Sequence, residues 1–317
     1  MATSRASLSS ARPLDDERDP MTIDVACVGS PFLDLIFRGL PALPKPGEEQ
    51  IARELVIVPG AIANVAYALN RLGLDAVVCA PVGRDPAGRL LGELMADAGV
   101  RWVGRSAEAT PVSVALPVDG DRAFVTAGPP PSVDIDALTA LEPRAVVVDL
   151  PSVELLPPLP IVYAVVGDPE VRGLAENLPR SLAVLRALIL NDREARGLSG
   201  AEDLDEAAAR LATLGTIVVV TCGRSGAFAT EPDGRIVRVE APIVEVDDPT
   251  GAGDLFTAAY VWADLAGRTL EDRLALACAY ASLSLAAAGS RQKGVTRDQF
   301  GLALAERGQS HLWVEEA

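Results

Sequence analysis

Six short apolar runs recur along the chain, at residues 23–29, 76–83, 145–148, 161–166, 187–190 and 217–222. Each is built of Val, Ile, Leu, Ala and Cys almost throughout, as strands buried on both faces are. Helix-forming segments separate them, and a strand–helix–strand alternation closes into a mainly parallel sheet covered by helices on each side. The fold class is therefore α/β, three layers deep. Ligands are expected where the carboxyl ends of the strands reach the surface.

The most informative single stretch is Asp247-Asp248-Pro249-Thr250-Gly251-Ala252-Gly253-Asp254-Leu255-Phe256-Thr257. Upstream, residues 243–246 alternate apolar and polar, which predicts an extended strand. Downstream, residues 255–265 are apolar, free of Gly and Pro, and followed by Gly267, which predicts a helix with its stop. A strand then turns through Gly-Ala-Gly into a helix, with Asp254 in the first helical turn. Small residues let backbone approach a ligand closely, and unpaired N–H groups of a first turn attract anions. A carboxylate in that place suits proton handling beside bound negative charge, as phosphoryl transfer to a hydroxyl requires. The plainer alternative is a glycine turn in which Asp is an ordinary cap.

The string D-x-T-G-A-G-D opening an apolar helix closely resembles the C-terminal signature of the ribokinase-like (PfkB) carbohydrate kinases. Pro59 to Gly73 resembles that family's N-terminal motif G-G-x-x-x-N-x-A-x-x-L-x-R-L-G, with Ala61 read where the second glycine usually stands. Three weaker matches keep the family's order: Arg84–Gly88 with a G-x-D-x-x-G loop, Asn191–Glu194 with N-x-x-E, and Thr221–Gly226 with T-x-G-x-x-G. The resemblance covers about residues 23–308. It implies a single kinase domain over 21–311, ribokinase-like, with a small β-sheet lid from segments about 35–58 and 112–126.

The same resemblance implies roles. Asp254 is the base that takes the proton of the attacking hydroxyl, and the backbone at Gly251, Ala252 and Gly253 cradles the transferring phosphoryl. Asp34, Gly60, Ala61 and Asn64 contact the substrate. Asn191, Thr221, Gly223 and Gly226 meet the nucleotide, and Glu194 helps hold Mg²⁺ through water. Some members bind a monovalent cation such as K⁺ between equivalents of Asp248, Thr250 and the loop at 289–294. This loop carries Arg291 and Lys293, so a lysine charge is the alternative to the ion. Read without the family, Asn191 and Glu194 form a capping box, and Thr221–Gly226 a hairpin turn. The implied reaction transfers the γ-phosphoryl of ATP to a small-molecule hydroxyl, a free sugar first and a nucleoside second. A non-catalytic binding module on the same fold is the third reading, and the intact Gly251–Asp254 string argues against it.

Composition excludes other classes. A net charge of −16 without any basic run disfavours nucleic acid and anionic membrane surfaces as partners. The single histidine, His311, rules out a Ser-His-Asp triad earlier in the chain, and no G-x-x-x-x-G-K-[ST] is present. Cys27, Cys79, Cys222 and Cys278 are scattered and sit in apolar segments, as free thiols of a cytoplasmic protein do. Residues 1–20 are Ser-, Arg- and Asp-rich, and are expected to be a disordered leader rather than a secretory signal. The lid is expected to leave apolar side chains such as Ile36, Phe37, Leu55 and Ile57 in water, and so to form a homodimer contact.

Overall fold

The computed structural model describes residues 23–118, 121–129, 132–167, 171, 178, 180–245, 249–286 and 294–313. The leader expectation falls on residues outside these. In chain order, β1 (Val25–Val28) precedes a hairpin of β2 (Pro31–Arg38) and β3 (Glu54–Ala61), then α1 (Ile62–Arg71) and β4 (Ala76–Cys79). A short β5 (Val82–Gly83), α2 (Pro86–Asp97), β6 (Arg101–Val103) and β7 (Ser106–Ala107) lead to a second hairpin, β8 (Val112–Val118) and β9 (Asp121–Ala127). There follow α3 (Ile135–Leu141), β10 (Ala145–Asp149), β11 (Val162–Val165), β12 (Ala187–Asn191), α4 (Asp192–Ser199) and α5 (Leu204–Ala212). The chain then runs through β13 (Ile217–Thr221), β14 (Ala227–Thr230), β15 (Ile236–Val239), α6 (Ala252–Leu265), α7 (Leu270–Ala286) and α8 (Arg297–Glu306).

All six apolar runs enter one nine-stranded sheet of order β15-β14-β13-β12-β11-β10-β1-β4-β6. The seven strands from β13 to β6 are parallel, and β14 and β15 add an antiparallel edge. Side chains of a strand alternate between faces, and β1 divides its own accordingly. Val25 and Cys27 join the core under α1, α2, α6, α7 and α8, while Ala26 and Val28 join a second core under α3, α4 and α5. Helix α6 is buried at every position from Leu255 to Leu265, because the sheet, α1 and α7 enclose it. That enclosure explains an apolar segment with no polar stripe. Among the described residues no helix is long and apolar enough to cross a membrane.

Strands β3-β2-β8-β9 form the separate lid. Its β2 begins at Pro31 and β3 extends to Ala61, so the lid reaches further than the predicted 35–58 in both directions. Asp34 therefore sits within a lid strand, opposite Val58. The predicted strand at 243–246 is absent over the described residues 243–245, where Ile243 is 100% exposed. That stretch pairs with no strand, and β15 stays outermost on its side of the sheet. The apolar run at 76–83 splits into β4 and β5 around Pro81, which has no N–H to donate.

Far from the strand carboxyl ends, Asp264 of α6 is buried among cationic and hydroxyl donors. Arg186 donates to it from Nε at 2.8 Å and Nη2 at 2.7 Å, Tyr163 from its hydroxyl at 2.7 Å, and Arg273 lies 2.8 Å away. Burial pushes the Asp264 carboxyl up, but the two guanidinium groups outweigh it and hold it below the usual carboxylate range. Removing one partner of such a cluster leaves buried charge uncompensated. Asp264→Ala is expected to cost about 3–5 kcal/mol in urea denaturation. Breaking the exposed Arg101–Asp75 pair by Arg101→Ala should cost about 1 kcal/mol or less. Equal losses from the two variants would overturn this ranking.

Candidate active site

Two helix N-termini converge at one point. Helix α6 is preceded by Gly251 at φ 81° and ψ 4°, the left-handed region that glycine enters without strain. No side chain caps this helix. The Ala252 N–H donates to the Pro249 carbonyl at 3.1 Å, and Leu255 to Gly251 at 3.0 Å. Among the described residues the N–H groups of Gly253 and Asp254 have no carbonyl partner. Space is open above Gly253, where an added Cβ would meet nothing within 4 Å. Of the implied cradle, Gly251 and Gly253, together with Asp254, keep N–H groups with no carbonyl partner among the described residues, while the Ala252 N–H closes the turn.

The second N-terminus is that of α1, which β3 enters with no intervening loop. Its cap residue Ala61 has φ 50° and ψ −129°, a conformation rarely adopted by residues with a Cβ. Such strain costs on the order of 1–3 kcal/mol and is held where surrounding structure over-determines it. No side chain caps this helix either. Asn64 is the third residue of α1, as Asp254 is the third of α6. The Asn64 Nδ2 donates to Asp254 Oδ2 at 3.0 Å. Counting back five positions from Asn64, the spacing G-G-x-x-x-N puts its glycine pair at Pro59 and Gly60. The departure from that motif therefore lies at Pro59, and Ala61 occupies a position the motif leaves free.

Asp34 completes the cluster from the lid. Its carboxyl lies over Gly60, where an added Cβ would overlap the Asp34 carboxyl atoms, so glycine is required for space. Burial and the charge of Asp254 push Asp34 up to about 7. Burial likewise raises Asp254 to about 6, against the opposing hydrogen bond from Asn64.

Ala61 and Asp254 border a cavity of about 350 Å³ at the carboxyl ends of β1, β10, β11, β12 and β13, whereas Asp34, Gly60 and Asn64 are not among its walls. Ala61, Asp149, Asn191, Glu194, Gly253 and Asp254 are among its walls. A neighbouring cavity of about 460 Å³ is walled by Gly223, Arg224 and Gly226 with Phe256, Cys278 and Leu285. Thr221 and Gly253 belong to both, so the two spaces meet over the first turn of α6. Asn191 and Glu194 do form a capping box: Asn191 Oδ1 accepts from the Glu194 N–H at 2.9 Å, and Glu194 Oε2 from the Asn191 N–H at 2.7 Å. The turn after Thr221 does close the antiparallel β13–β14 pair, and Gly226 (φ 95°) presses against Val239 and Ala241 backbone. Each of these segments keeps its local structural role and also faces a cavity.

Asp149, at the end of β10, escaped the sequence reading. A polar residue ending an apolar run was the available signal. Asp248 and residues 289–293 lie outside the described residues, and Thr250 alone represents the expected cation site. Among the described residues no three His, Cys, Asp or Glu side chains gather as a metal cage. A Mg²⁺ bridging nucleotide phosphates needs only one or two carboxylates and water, and the buried Glu194 on the cavity wall fits that demand.

The profile described as "pfkB family carbohydrate kinase" matches residues 23–148 and 161–296. The chain belongs to the pfkB family of carbohydrate kinases. As a member it is a phosphotransferase on a ribokinase-like fold. A fructokinase of Klebsiella pneumoniae is 30% identical over 254 residues, 68% of this chain and 79% of that protein. A ribokinase of Arabidopsis thaliana is 28% identical over 290 residues, 83% and 76% of the two chains. Among solved structures, Thermotoga maritima ribokinase superposes with a TM-score of 0.73 at 21% identity, covering 89% of this chain and 99% of its own. The Arabidopsis ribokinase complexed with ribose and ATP gives 0.72 at 24% identity, covering 89% and 98%.

The raised carboxyls of this pfkB member make its stability depend on pH. Asp34 and Asp254 hold protons more tightly folded than unfolded, so their stabilising effect is full below about pH 4 and is lost as pH rises through 6–7. The urea midpoint of the ligand-free protein is expected to fall between pH 5 and pH 8. Asp254→Asn should flatten part of that fall, and a variant with the wild-type slope would show that Asp254 is not the group responsible.

Proposed function

We propose that the chain transfers the γ-phosphoryl group of ATP to a hydroxyl of a free sugar. One observation carries this reading: Asp254, bonded by Asn64, walls the first cavity beside Gly253, whose unpartnered N–H lies where the two cavities meet. The cavity beyond Thr221, with its glycine turn and Arg224, takes the nucleotide. The one bordered by the lid takes the acceptor, whose hydroxyls bond Asp34 and Asn64. The acceptor oxygen attacks the γ-phosphorus, the bond from that phosphorus to the β-bridging oxygen breaks, and ADP leaves. Asp254 receives the hydroxyl proton. In a loose transition state that proton moves late, so a carboxylate titrating near 6 is basic enough. The Gly253 and Asp254 N–H groups donate to the charge on the transferring oxygens. When bound, Mg²⁺ supplies charge neutralisation at the nucleotide phosphates, and Glu194 is the residue placed to hold it. A fructokinase and a ribokinase as relatives support a sugar acceptor. A solved adenosine kinase of Sinorhizobium meliloti, TM-score 0.71 at 21% identity, keeps a nucleoside in the panel to be tested.

A homodimer through the lid belongs to the same proposal, with its surface revised. Ile36 is buried with Val56, Val58 and Ala115 on the face that carries Asp34, and Ile57 packs against the main core. The opposite face exposes Leu55 (47%) and Val125 (62%) beside half-buried Phe37. The described cysteines are all free, in keeping with a cytoplasmic protein.

ATP turnover against a sugar and nucleoside panel tests the reaction. With the acceptor identified, Asp254→Asn is expected to lower kcat by about 10²–10⁴-fold while ATP still binds. Asp34→Ala or Asn64→Ala should weaken acceptor use by roughly 1.5–3 kcal/mol and leave ATP affinity unchanged. Turnover of Asp254→Asn within a few-fold of wild type would remove Asp254 as base. For assembly, light scattering should give a dimer mass that Leu55→Glu with Val125→Glu reduces to the monomer. A dimer untouched by both would place the interface elsewhere.

A further inference from the structure

We infer that Thr257 is a further acceptor-binding residue, its hydroxyl bonding an acceptor hydroxyl other than the one that receives phosphate; the inference rests on the kinase reading above. Thr257 belongs to α6, the helix whose first turn carries Asp254, and stands three residues beyond it. Residues three apart share a helix face, displaced by about 4.5 Å along the axis. Thr257 thus lies on the Asp254 side of α6, close to one turn deeper in the fold.

Thr257 is only 3% exposed, yet its hydroxyl bonds no group among the described residues. The internal partner a helical threonine commonly takes is the carbonyl four residues back. Thr139 of α3 uses it, donating to the Ile135 carbonyl at 2.8 Å, and Thr257 does not. Nor is its oxygen sealed in the core, as that of Thr230 is. Thr257 is instead a wall of the 350 Å³ cavity, in company with the apolar Val65, Val165 and Ile189. A buried hydroxyl without a hydrogen bond costs stability, so the missing partner is one that the cavity's occupant brings.

That occupant is the acceptor. Gly253 belongs to both cavities, whereas Thr257 walls only the first. The nucleotide phosphates meet the N–H groups at the junction, and Thr257 is displaced from that junction along α6. A threonine hydroxyl both donates and accepts, which suits another hydroxyl. A polyol held by Asp34 and Asn64 from the lid side gains a third polar contact from α6. Sites of this kind discriminate against analogues that lack the bonded hydroxyl, because the protein's own group is then left unpaired.

The full chain tests this once the sugar and nucleoside panel has identified an acceptor. Its monodeoxy analogues are compared on wild type and on Thr257→Val, which keeps the β-branched shape and removes the hydroxyl. On wild type, one analogue is expected to lose about tenfold in kcat/KM, and Thr257→Val to lose about tenfold on the parent acceptor. That analogue should lose nothing further on Thr257→Val, since both deletions remove the same bond. Thr257→Ser restores a hydroxyl and should recover most of the parent activity. KM for ATP is expected to stay at its wild-type value. The Tm of ligand-free Thr257→Val should equal or exceed that of wild type, an unbonded buried hydroxyl having been removed.

Wild-type kcat/KM for Thr257→Val on the parent acceptor overturns the inference and leaves the kinase reading standing. The same holds if every deoxy analogue is penalised equally on both proteins, the mark of a hydroxyl that binds only water. A lower Tm for Thr257→Val gives the hydroxyl a partner within the protein and likewise overturns it. If ATP binds and no acceptor turns over, phosphoryl transfer to the panel fails as a reading. Calorimetry with a non-hydrolysable ATP analogue then compares binding of the panel to wild type and Thr257→Val. Binding weakened about tenfold by the substitution supports the contact, and equal binding or none overturns it.

Discussion

The hydrogen bond from Asn64 to Asp254 joins residues 190 positions apart, and the geometry of the site follows from it. It forms only because α1 and α6 pack on the same face of the sheet, above Val25 and Cys27, with their first turns side by side. Both helices forgo a side-chain cap, an omission that generally costs about 1 kcal/mol per helix. By contrast α2, α4, α5 and α8 are capped by Asp85, Asn191, Asp203 and Thr296. A capped α6 would have its first N–H groups satisfied internally and nothing to offer a phosphate.

One helix carries carboxylates in opposite electrostatic states at its two ends. Asp264 receives hydrogen bonds from Arg186 and Tyr163 with Arg273 alongside, and stays ionised below the usual range. Asp254 has a single neutral donor and a carboxyl neighbour, so burial dominates and its proton affinity rises. The distal cluster anchors α6 to β11, β12 and α7. The proximal carboxylate is thereby kept reactive on a helix that cannot easily shift.

Much of this was legible in the sequence because the relevant signals are local. The six core strands announce themselves as uninterrupted apolar runs, and the Gly251 turn into α6 follows from glycine's access to positive φ. The Asn191–Glu194 capping box is likewise a matter of spacing. Where the reading went astray, the deciding contact was distant. Residues 243–245 alternate as a strand does, yet no strand pairs with them. The beginning of the lid at Pro31 depends on pairing with β3, more than twenty residues on. Asp149 gained meaning only when β10 was seen to lie beside β1. The engagement of the Ala252 N–H with Pro249 is a turn detail that the bare string G-A-G-D does not disclose.

The direct passage from β3 into α1 has a mechanical side. With no loop between them, a tilt of the lid has Ala61 as its first pivot, and a residue with a Cβ already at φ 50° offers little slack. What that joint does not absorb is delivered to α1 as rotation, and Asn64 sits three residues along the lever. Lid angle and the grip on Asp254 are thus geared together through the backbone, without any messenger side chain between them.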